Sequence, residues 1–94
     1  MKITVRSVLA FSRAIGGRDL PLDLPAGSTV EQALSELTLE CGEPLSGMLW
    51  DKTGKLLPHI RLLVNGQDVG FLSGLATPLH EDDDLTLIPP AGGG

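Results

Sequence analysis

The residues best suited to chemistry in this sequence form its last stretch, Pro89, Pro90, Ala91, Gly92, Gly93 and Gly94. Glycine has no Cβ and loses more conformational freedom on ordering than any other residue, so three glycines in a row contribute little to a fold. Such a run is useful where another protein threads the chain through a narrow channel, or must reach its final carbonyl without meeting a side chain. The sequence therefore predicts that Gly94 presents a reactive α-carboxylate and that a partner recognises residues 89–94 as a tail.

The two prolines set where this tail begins. Pro89 and Pro90 fix φ near −65° and have no N–H, so a strand that reaches them must stop. They also favour an extended polyproline path that projects the glycines outward. From Ala91 to Gly94 an extended chain reaches roughly 13 Å. A terminus of small residues that is merely disordered, or an expression scar, is the alternative interpretation.

Length and composition restrict the class of protein. Ninety-four residues suit one domain, 1–94, with too little chain for a self-contained enzyme with a deep pocket. The net charge of −5 argues against binding to nucleic acid, which requires a basic surface, and favours a basic protein partner. A carrier or interaction module with no stably bound cofactor is expected.

Cysteine, histidine and hydropathy patterns restrict it further. The single cysteine, Cys41, excludes an internal disulfide framework, and the isolated His59 and His80 have no metal-ligand spacing. Arg6 and Arg13 interrupt any apolar run at the start, so no signal peptide is predicted. No stretch approaches the length of a membrane span, and the expected location is the cytoplasm.

The first half of the chain predicts two strands and a helix. Alternating hydrophobic residues indicate strands over 2–9 and 19–24, joined by a connection over 11–18, and Pro21 marks the second strand as an edge. A helix is predicted over 29–41, with Ser28 as its N-cap, Glu31 as the capping-box partner and Gly42 at its end.

The second half predicts three further strands. Residues 43–58 have no clear pattern. A strand over 60–64 is followed by an Asn65-Gly66 turn, a short return strand over 67–69 and a final strand over 85–88. One helix with four or five strands must cover one face of a mixed sheet. The predicted class is α+β with a β-grasp fold, in which the first and last strands are central and parallel and the tail leaves from the middle of the sheet.

A family resemblance rests on the last third of the chain. Residues 83–90 read Asp-Asp-Leu-x-Leu-x-Pro-Pro, and Phe71 begins the pattern Phe-x-x-Gly-Leu-Ala-Thr. With the element order and the terminal glycines, these patterns resemble the ubiquitin-like sulfur carriers of the MoaD/ThiS family. The first is similar to molybdopterin synthase small subunits, the second to a longer subgroup with archaeal-type small modifiers and the sulfur carrier for cysteine synthesis. The family pattern ends in Gly-Gly, so the third glycine leaves open whether Gly93 or Gly94 is the functional terminus.

The resemblance implies a function. An E1-like partner would use ATP and Mg²⁺ to adenylate the last glycine, and a sulfur donor would convert it to a thiocarboxylate. The recipient would be a synthase of molybdopterin or cysteine biosynthesis, and the carrier itself would not be an enzyme. A ubiquitin-like modifier joined to lysines through its last glycine, or a sulfur donor for transfer RNA thiolation, is the alternative.

Three other features carry predictions. Phe71 and Leu75 are predicted to pack in the core, with an apolar docking patch as the alternative. The acidic run is predicted to be a solvated turn, with steering of a partner as the second interpretation; it comprises Glu81, Asp82, Asp83 and Asp84. Cys41 ends the apolar stripe of the helix and is predicted to be a buried structural thiol rather than a sulfur relay.

Overall fold

A mixed five-stranded sheet organises residues 1–17 and 19–90, the part of the chain that the computed structural model describes. Its strands are β1 (Lys2–Ser7), β2 (Leu20–Asp23), β3 (Arg61–Val64), β4 (Gln67–Asp68) and β5 (Asp84–Ile88). Their order across the sheet is β2-β1-β5-β3-β4. The five predicted strands are confirmed, with ends that differ by up to two residues.

The last strand lies in the centre of the sheet. β5 pairs in parallel with β1, where Ser7 lies opposite Leu87, and antiparallel with β3, where Arg61 lies opposite Ile88. β2 pairs only with β1, so Pro21 lies on an edge strand as predicted. The predicted central, parallel pairing of the first and last strands is confirmed.

The main helix, α2 (Val30–Cys41), covers one face of the sheet. Its apolar stripe, Val30, Ala33, Leu34 and Leu37, is fully buried. This stripe packs on the inward side chains of the strands, which include Ile3, Val5, Leu22, Leu62, Leu85 and Leu87. Apolar residues at helical spacing thus meet alternating apolar residues of the strands, as the two periodicities require.

The N-cap of α2 is one residue later than predicted. Thr29 is the cap: its N–H donates to Gln32 Oε1 (2.8 Å), and the Gln32 N–H donates to Thr29 Oγ1 (3.4 Å). The assignment of Ser28 and Glu31 is wrong because the buried Ser28 hydroxyl donates instead to the carbonyl of Pro25 (2.7 Å). Gly42 ends the helix with φ of 61°, in agreement with the predicted stop.

Two short helices were missed. α1 (Leu9–Ala14) replaces the end of the predicted first strand and the start of the predicted connection; it buries Phe11, which is 1% exposed. α3 (Leu45–Leu49) lies in the stretch without a pattern and buries Leu45 and Leu49. Five or six residues are too few for a helical period to appear in a sequence. Arg18, at the end of the predicted connection, lies outside the described residues.

Within residues 1–17 and 19–90, no helix has both the length and the apolar character needed to cross a membrane. Over the same residues, no three or more His, Cys, Asp or Glu side chains are grouped so that they could hold a metal ion.

Candidate functional site

The root of the predicted tail lies at the C-terminal end of β5, in the middle of the sheet. β5 ends at Ile88, Pro89 is half-buried against the sheet and Pro90 is exposed. Neither proline has an N–H, so β5 cannot extend its pairing with β1 or β3 beyond this point. Of the predicted site, Ala91, Gly92, Gly93 and Gly94 lie outside the described residues.

An apolar rim surrounds this root. Because β1 and β5 are parallel and Ser7 lies opposite Leu87, Val8 and Leu9 follow β1 at the same end of the sheet at which Ile88 and Pro89 follow along β5. Ile60 lies at that end too, since Arg61 lies opposite Ile88 in the antiparallel pair. We call Val8, Leu9, Ile60, Ile88 and Pro89 the exit rim.

The two sides of the exit rim differ in shape. On the β3 side an open cleft of about 480 Å³ is lined by His59, Ile60, Arg61, Ile88 and Pro89. On the β1 side the chain protrudes, with Val8 41% exposed and Leu9 70% exposed. Sequence reasoning missed Val8 and Leu9 because an exposed apolar pair next to a strand has the same pattern as the strand itself.

Non-glycine residues with positive φ lie at both ends of the sheet. Four non-glycine residues have positive φ: Leu9 (56°), His59 (69°), Asn65 (51°) and Asp82 (68°). Asn65 and Asp82 are of the residue types that tolerate this conformation, and both lie in turns. Leu9 is the outlier, since a left-handed leucine costs roughly 1–2 kcal/mol.

The open face of the sheet next to the tail root carries paired charges. Arg6 and Arg61 flank β5 on either side, opposite Thr86 and Ile88. Arg6 Nε lies 3.4 Å from Asp84 Oδ2, and Arg61 Nε lies 3.3 Å from Asp68 Oδ2. The pKa of Asp68 is lowered, first by the Gly70 N–H that donates to it (2.8 Å) and then by Arg61. Both arginines are more than half exposed, so these ion pairs contribute little to stability and remain accessible to a partner.

The acidic run forms a turn, as predicted, but most of its carboxylates bind the protein itself. Glu81 accepts from the Lys2 N–H (3.2 Å), and Asp83 accepts from Asn65 Nδ2 (2.9 Å) and the His80 N–H (2.8 Å). Asp84 pairs with an arginine of β1, as described above. Of these four carboxylates, only that of the exposed Asp82 has no hydrogen bond or ion pair with the described residues. The turn therefore joins the ends of three strands, and its field is weaker than four free carboxylates would produce.

Phe71 and Leu75 have different environments. Leu75 packs against the core as a partly buried residue, in line with the predicted packing role. Phe71 is 83% exposed, so its predicted core packing is wrong. It ends a 3₁₀ turn (Val69–Phe71) whose buried residue is Val69, and that turn directs the next side chains outward. Phe71 is therefore available for a docking contact, whereas Leu75 is used mainly by the fold.

Cys41 is half-buried and packs against the core at the end of α2. Burial raises the pKa of its thiol, and the neighbouring Glu40 raises it further. A thiol kept in the protonated form is a poor nucleophile, which agrees with a structural role rather than a sulfur relay.

The fold and the tail root define a class of protein. A mixed sheet with a helix across one face, and a central last strand that leads into a small-residue tail, is the arrangement of ubiquitin-like β-grasp proteins. The family follows from the sequence: a model of the ThiS family matches residues 7–94, and the chain belongs to that family.

Relatives agree with this assignment. Small archaeal modifier protein 3 of Haloferax volcanii is 31% identical over 94 residues, which is all of both chains. The sulfur carrier protein CysO of Mycobacterium tuberculosis is 34% identical over 71 residues, 73% of this chain and 75% of that protein. The crystal structure of SAMP1 from Haloferax volcanii superposes with a TM-score of 0.86 at 26% identity, over the whole of both chains. The chain is thus similar both to sulfur carriers and to protein modifiers, which share one fold.

Proposed function

We propose that this protein is a sulfur carrier whose Gly94 α-carboxylate is adenylated by an E1-like enzyme and converted to a thiocarboxylate. The observation that supports this best is the position of β5. β1 and β3 pair with β5 on its two sides, and Pro89 and Pro90 end its pairing. The predicted tail therefore starts from a rigid base. The similarity to a protein named as a sulfur carrier points the same way.

The chemistry needs an activated acyl group because an ionised carboxylate is a poor acyl donor. The α-carboxyl of a terminal glycine has a pKa of about 3.3–3.7 and is ionised at neutral pH. One carboxylate oxygen attacks the α-phosphorus of ATP and pyrophosphate leaves, while Mg²⁺ bound to the partner offsets phosphate charge. Hydrosulfide then attacks the acyl carbon, and AMP leaves with the electron pair of the C–O bond. If the donor is a persulfide, the acyl disulfide that forms must be reduced by a thiol to release the thiocarboxylate.

The carrier contributes reach and access rather than catalytic groups. A tail without side chains leaves both faces of the carbonyl open to attack, and its base is fixed by Pro89, which packs against the sheet, and Pro90, which is exposed. The sulfur would be delivered to a synthase of molybdopterin or cysteine biosynthesis. In the molybdopterin case the chain would serve as the non-catalytic small subunit of molybdopterin synthase. In a further alternative the sulfur would be used for the thiolation of transfer RNA.

A second function is favoured by the modifier of Haloferax volcanii, which matches this chain over its full length. In that case the ε-amine of a lysine on another protein attacks the same acyl adenylate and AMP leaves, giving an isopeptide bond. Both functions share the first step and differ only in the nucleophile.

Part of the predicted docking surface remains within this proposal. The exposed Phe71, and Asp82, whose carboxylate has no partner among residues 1–17 and 19–90, are proposed contacts for the partner. Leu75, Glu81, Asp83 and Asp84 act instead through the fold, because each is engaged in packing or in a contact within the domain.

The test is intact mass analysis after incubation with the cognate E1-like enzyme, MgATP and a sulfide source. The expected result is a species heavier by one oxygen-to-sulfur exchange, located in the C-terminal peptide. Variants that end at Gly93 or Gly92 serve as matched controls, and they also identify which glycine is the functional terminus. Formation of ATP-dependent lysine conjugates without any thiocarboxylate would favour the modifier function. If an enzyme that is active on another carrier forms neither the thiocarboxylate nor the lysine conjugate with this protein, the proposal is refuted.

A further inference from the structure

A second open cleft, of about 380 Å³, lies at the end of β5 opposite to the tail root. Its lining includes Asp83 and also Asn65, whose N–H donates to the carbonyl of Asp84, the first residue of β5 (2.9 Å). The tail root follows Ile88, the last residue of β5, and the strand between Asp84 and Ile88 is roughly 13 Å long. We call this second cleft the far cleft. A partner seated in it leaves the tail root accessible.

The wall of the far cleft continues into exposed apolar side chains. Val64, Leu72 and Pro78 contribute its carbon surface. Leu72 is 41% exposed, and Phe71, the residue before it in the chain, is 83% exposed. Two adjacent large apolar side chains in solvent forgo the gain of burial, and such surfaces mark sites of interaction.

The charge beside the far cleft indicates a basic partner. Glu81 and Asp83 accept hydrogen bonds from backbone N–H groups, which hold these carboxylates in place without neutralising them. Asp82 is exposed. In residues 1–17 and 19–90 no Lys or Arg side chain forms an ion pair with any of the three, and the contact of His80 with Asp83 (3.8 Å) is an ion pair only when the imidazole is protonated. Three consecutive carboxylates without a cation attract positive charge.

We infer that the far cleft binds a basic segment of a partner protein, which packs one aliphatic side chain against Leu72 and Pro78 and pairs a neighbouring arginine with Asp82. The guanidinium of that arginine also stacks on the exposed ring of Phe71. This surface is a second one, remote from the tail, and it binds its partner whether or not Gly94 is activated. The inference therefore goes beyond the proposed function.

The far cleft is also preorganised for binding. Asp83 is fixed by Asn65 Nδ2 (2.9 Å) and by the His80 N–H (2.8 Å). The hydroxyl of Thr77, another lining residue, donates to the carbonyl of Gly74 (2.7 Å). Because these side chains are already ordered, little conformational entropy is lost there when a partner binds.

The experiment titrates the full-length, isotope-labelled protein with a short peptide and follows the amide signals by NMR. The peptide contains one leucine and two adjacent arginines between glycines, with acetyl and amide ends. It should bind with a dissociation constant on the order of 1 mM. The amide signals of the far cleft should shift, and those of Ile60 and Arg61, in the cleft beside the tail root, should not. Signals expected to shift are those of Asn65, Gln67, Leu72 and Ser73.

Matched variants separate the apolar and the charged contact. Phe71→Ser and Asp82→Asn should each raise the dissociation constant about twofold to fivefold, the effect of losing one exposed cation–π contact or ion pair. Leu39→Ser and Glu40→Gln change an exposed apolar residue and an exposed carboxylate on α2, and both should leave it unchanged. A chain that ends at Gly92 should bind the peptide as well as the full chain does, although it lacks the proposed site of activation.

Four outcomes would overturn the inference. One is the absence of any shift at the far cleft with about 10 mM peptide. Equal binding of a peptide with glutamates in place of the arginines would remove the charge argument, and equal losses in the α2 variants would show a non-specific effect. Shifts of the far-cleft signals on raising the protein concentration without peptide would show that a second copy of the chain occupies the cleft. None of these results bears on the thiocarboxylate, so the proposed function is tested separately.

Discussion

Replacement of Leu9 by asparagine should leave the stability of the domain unchanged or raise it slightly. A leucine at φ of 56° costs roughly 1–2 kcal/mol, most of which asparagine avoids because its short polar side chain hydrogen-bonds locally. Less than a third of the Leu9 surface is buried. Since full burial of a leucine contributes about 1.5–3 kcal/mol, its removal loses only about 0.5–1 kcal/mol. The net change in the free energy of unfolding should lie between about 0 and +1 kcal/mol.

Phe11 gives the contrast within the same short helix. It is 1% exposed, and Phe11→Ala should lower the free energy of unfolding by about 3–5 kcal/mol, a large part of the total of about 5–15 kcal/mol. Urea unfolding followed by the fluorescence of Trp50, the single tryptophan, measures both variants. Trp50 is a suitable reporter because it is half-buried and its Nε1–H donates to Thr38 Oγ1 (2.9 Å). A loss of about 2 kcal/mol or more in Leu9→Asn would refute the reasoning, because it would place Leu9 in the core rather than on the exposed exit rim.

Two further predictions concern stability. Thr29→Ala should lower the free energy of unfolding by about 1 kcal/mol and the melting temperature by about 4–8 °C, whereas Ser35→Ala on the exposed side of α2 should change little. Equal melting of both variants and the wild type would contradict the assignment of the cap. The pKa of Asp51 is lowered from 3.8, first by the hydroxyl of Thr53 and then by backbone N–H groups. Its contribution to stability is therefore present above the unfolded pKa and is lost as pH falls through the folded value. Asp51→Asn should make stability less dependent on pH below about 4, measured by thermal unfolding between about pH 2 and 6; unchanged dependence would remove Asp51 from the account.

The sheet and its strand order could be predicted from the sequence because the local hydrophobic patterns agree with the connections between the strands. Alternating residues locate β1, β3 and β5, the Asn65-Gly66 turn joins β3 to β4, and Pro21 marks an edge. With one long amphipathic helix, few arrangements bury every apolar face. The predicted family follows from the C-terminal part of the chain, where the Asp-Asp-Leu-x-Leu-x-Pro-Pro motif overlaps β5.

What could not be predicted depends on tertiary contacts of short segments. α1 and α3 contain five or six residues each, and their formation follows from the burial of Phe11, Leu45 and Leu49 rather than from periodicity. Ser28 and Thr29 are both good cap residues, and only the contact of Ser28 with Pro25 decides between them.

The candidate site shows the same limit. The tail is evident in the sequence, but the exposure of Phe71 and the strain at Leu9 are not. Both follow from how the chain leaves a neighbouring element: Phe71 from a 3₁₀ turn that buries Val69, and Leu9 from the end of β1. The carboxylates at 81, 83 and 84 have the composition of a free acidic patch, yet the fold uses them as acceptors.

The central position of β5 has a consequence for synthesis in the cell. A growing chain is made from its N-terminus, and β5 is the last of the five strands described above to emerge. Until it does, β1 and β3 have no strand between them, because each pairs with β5 rather than with the other. A chain that stops before β5 cannot assemble the exit rim, so a folded surface and a complete tail root appear together. The order of folding thus acts as a check on synthesis: the sheet, and the exit rim that it supports, form only in chains whose translation has passed β5.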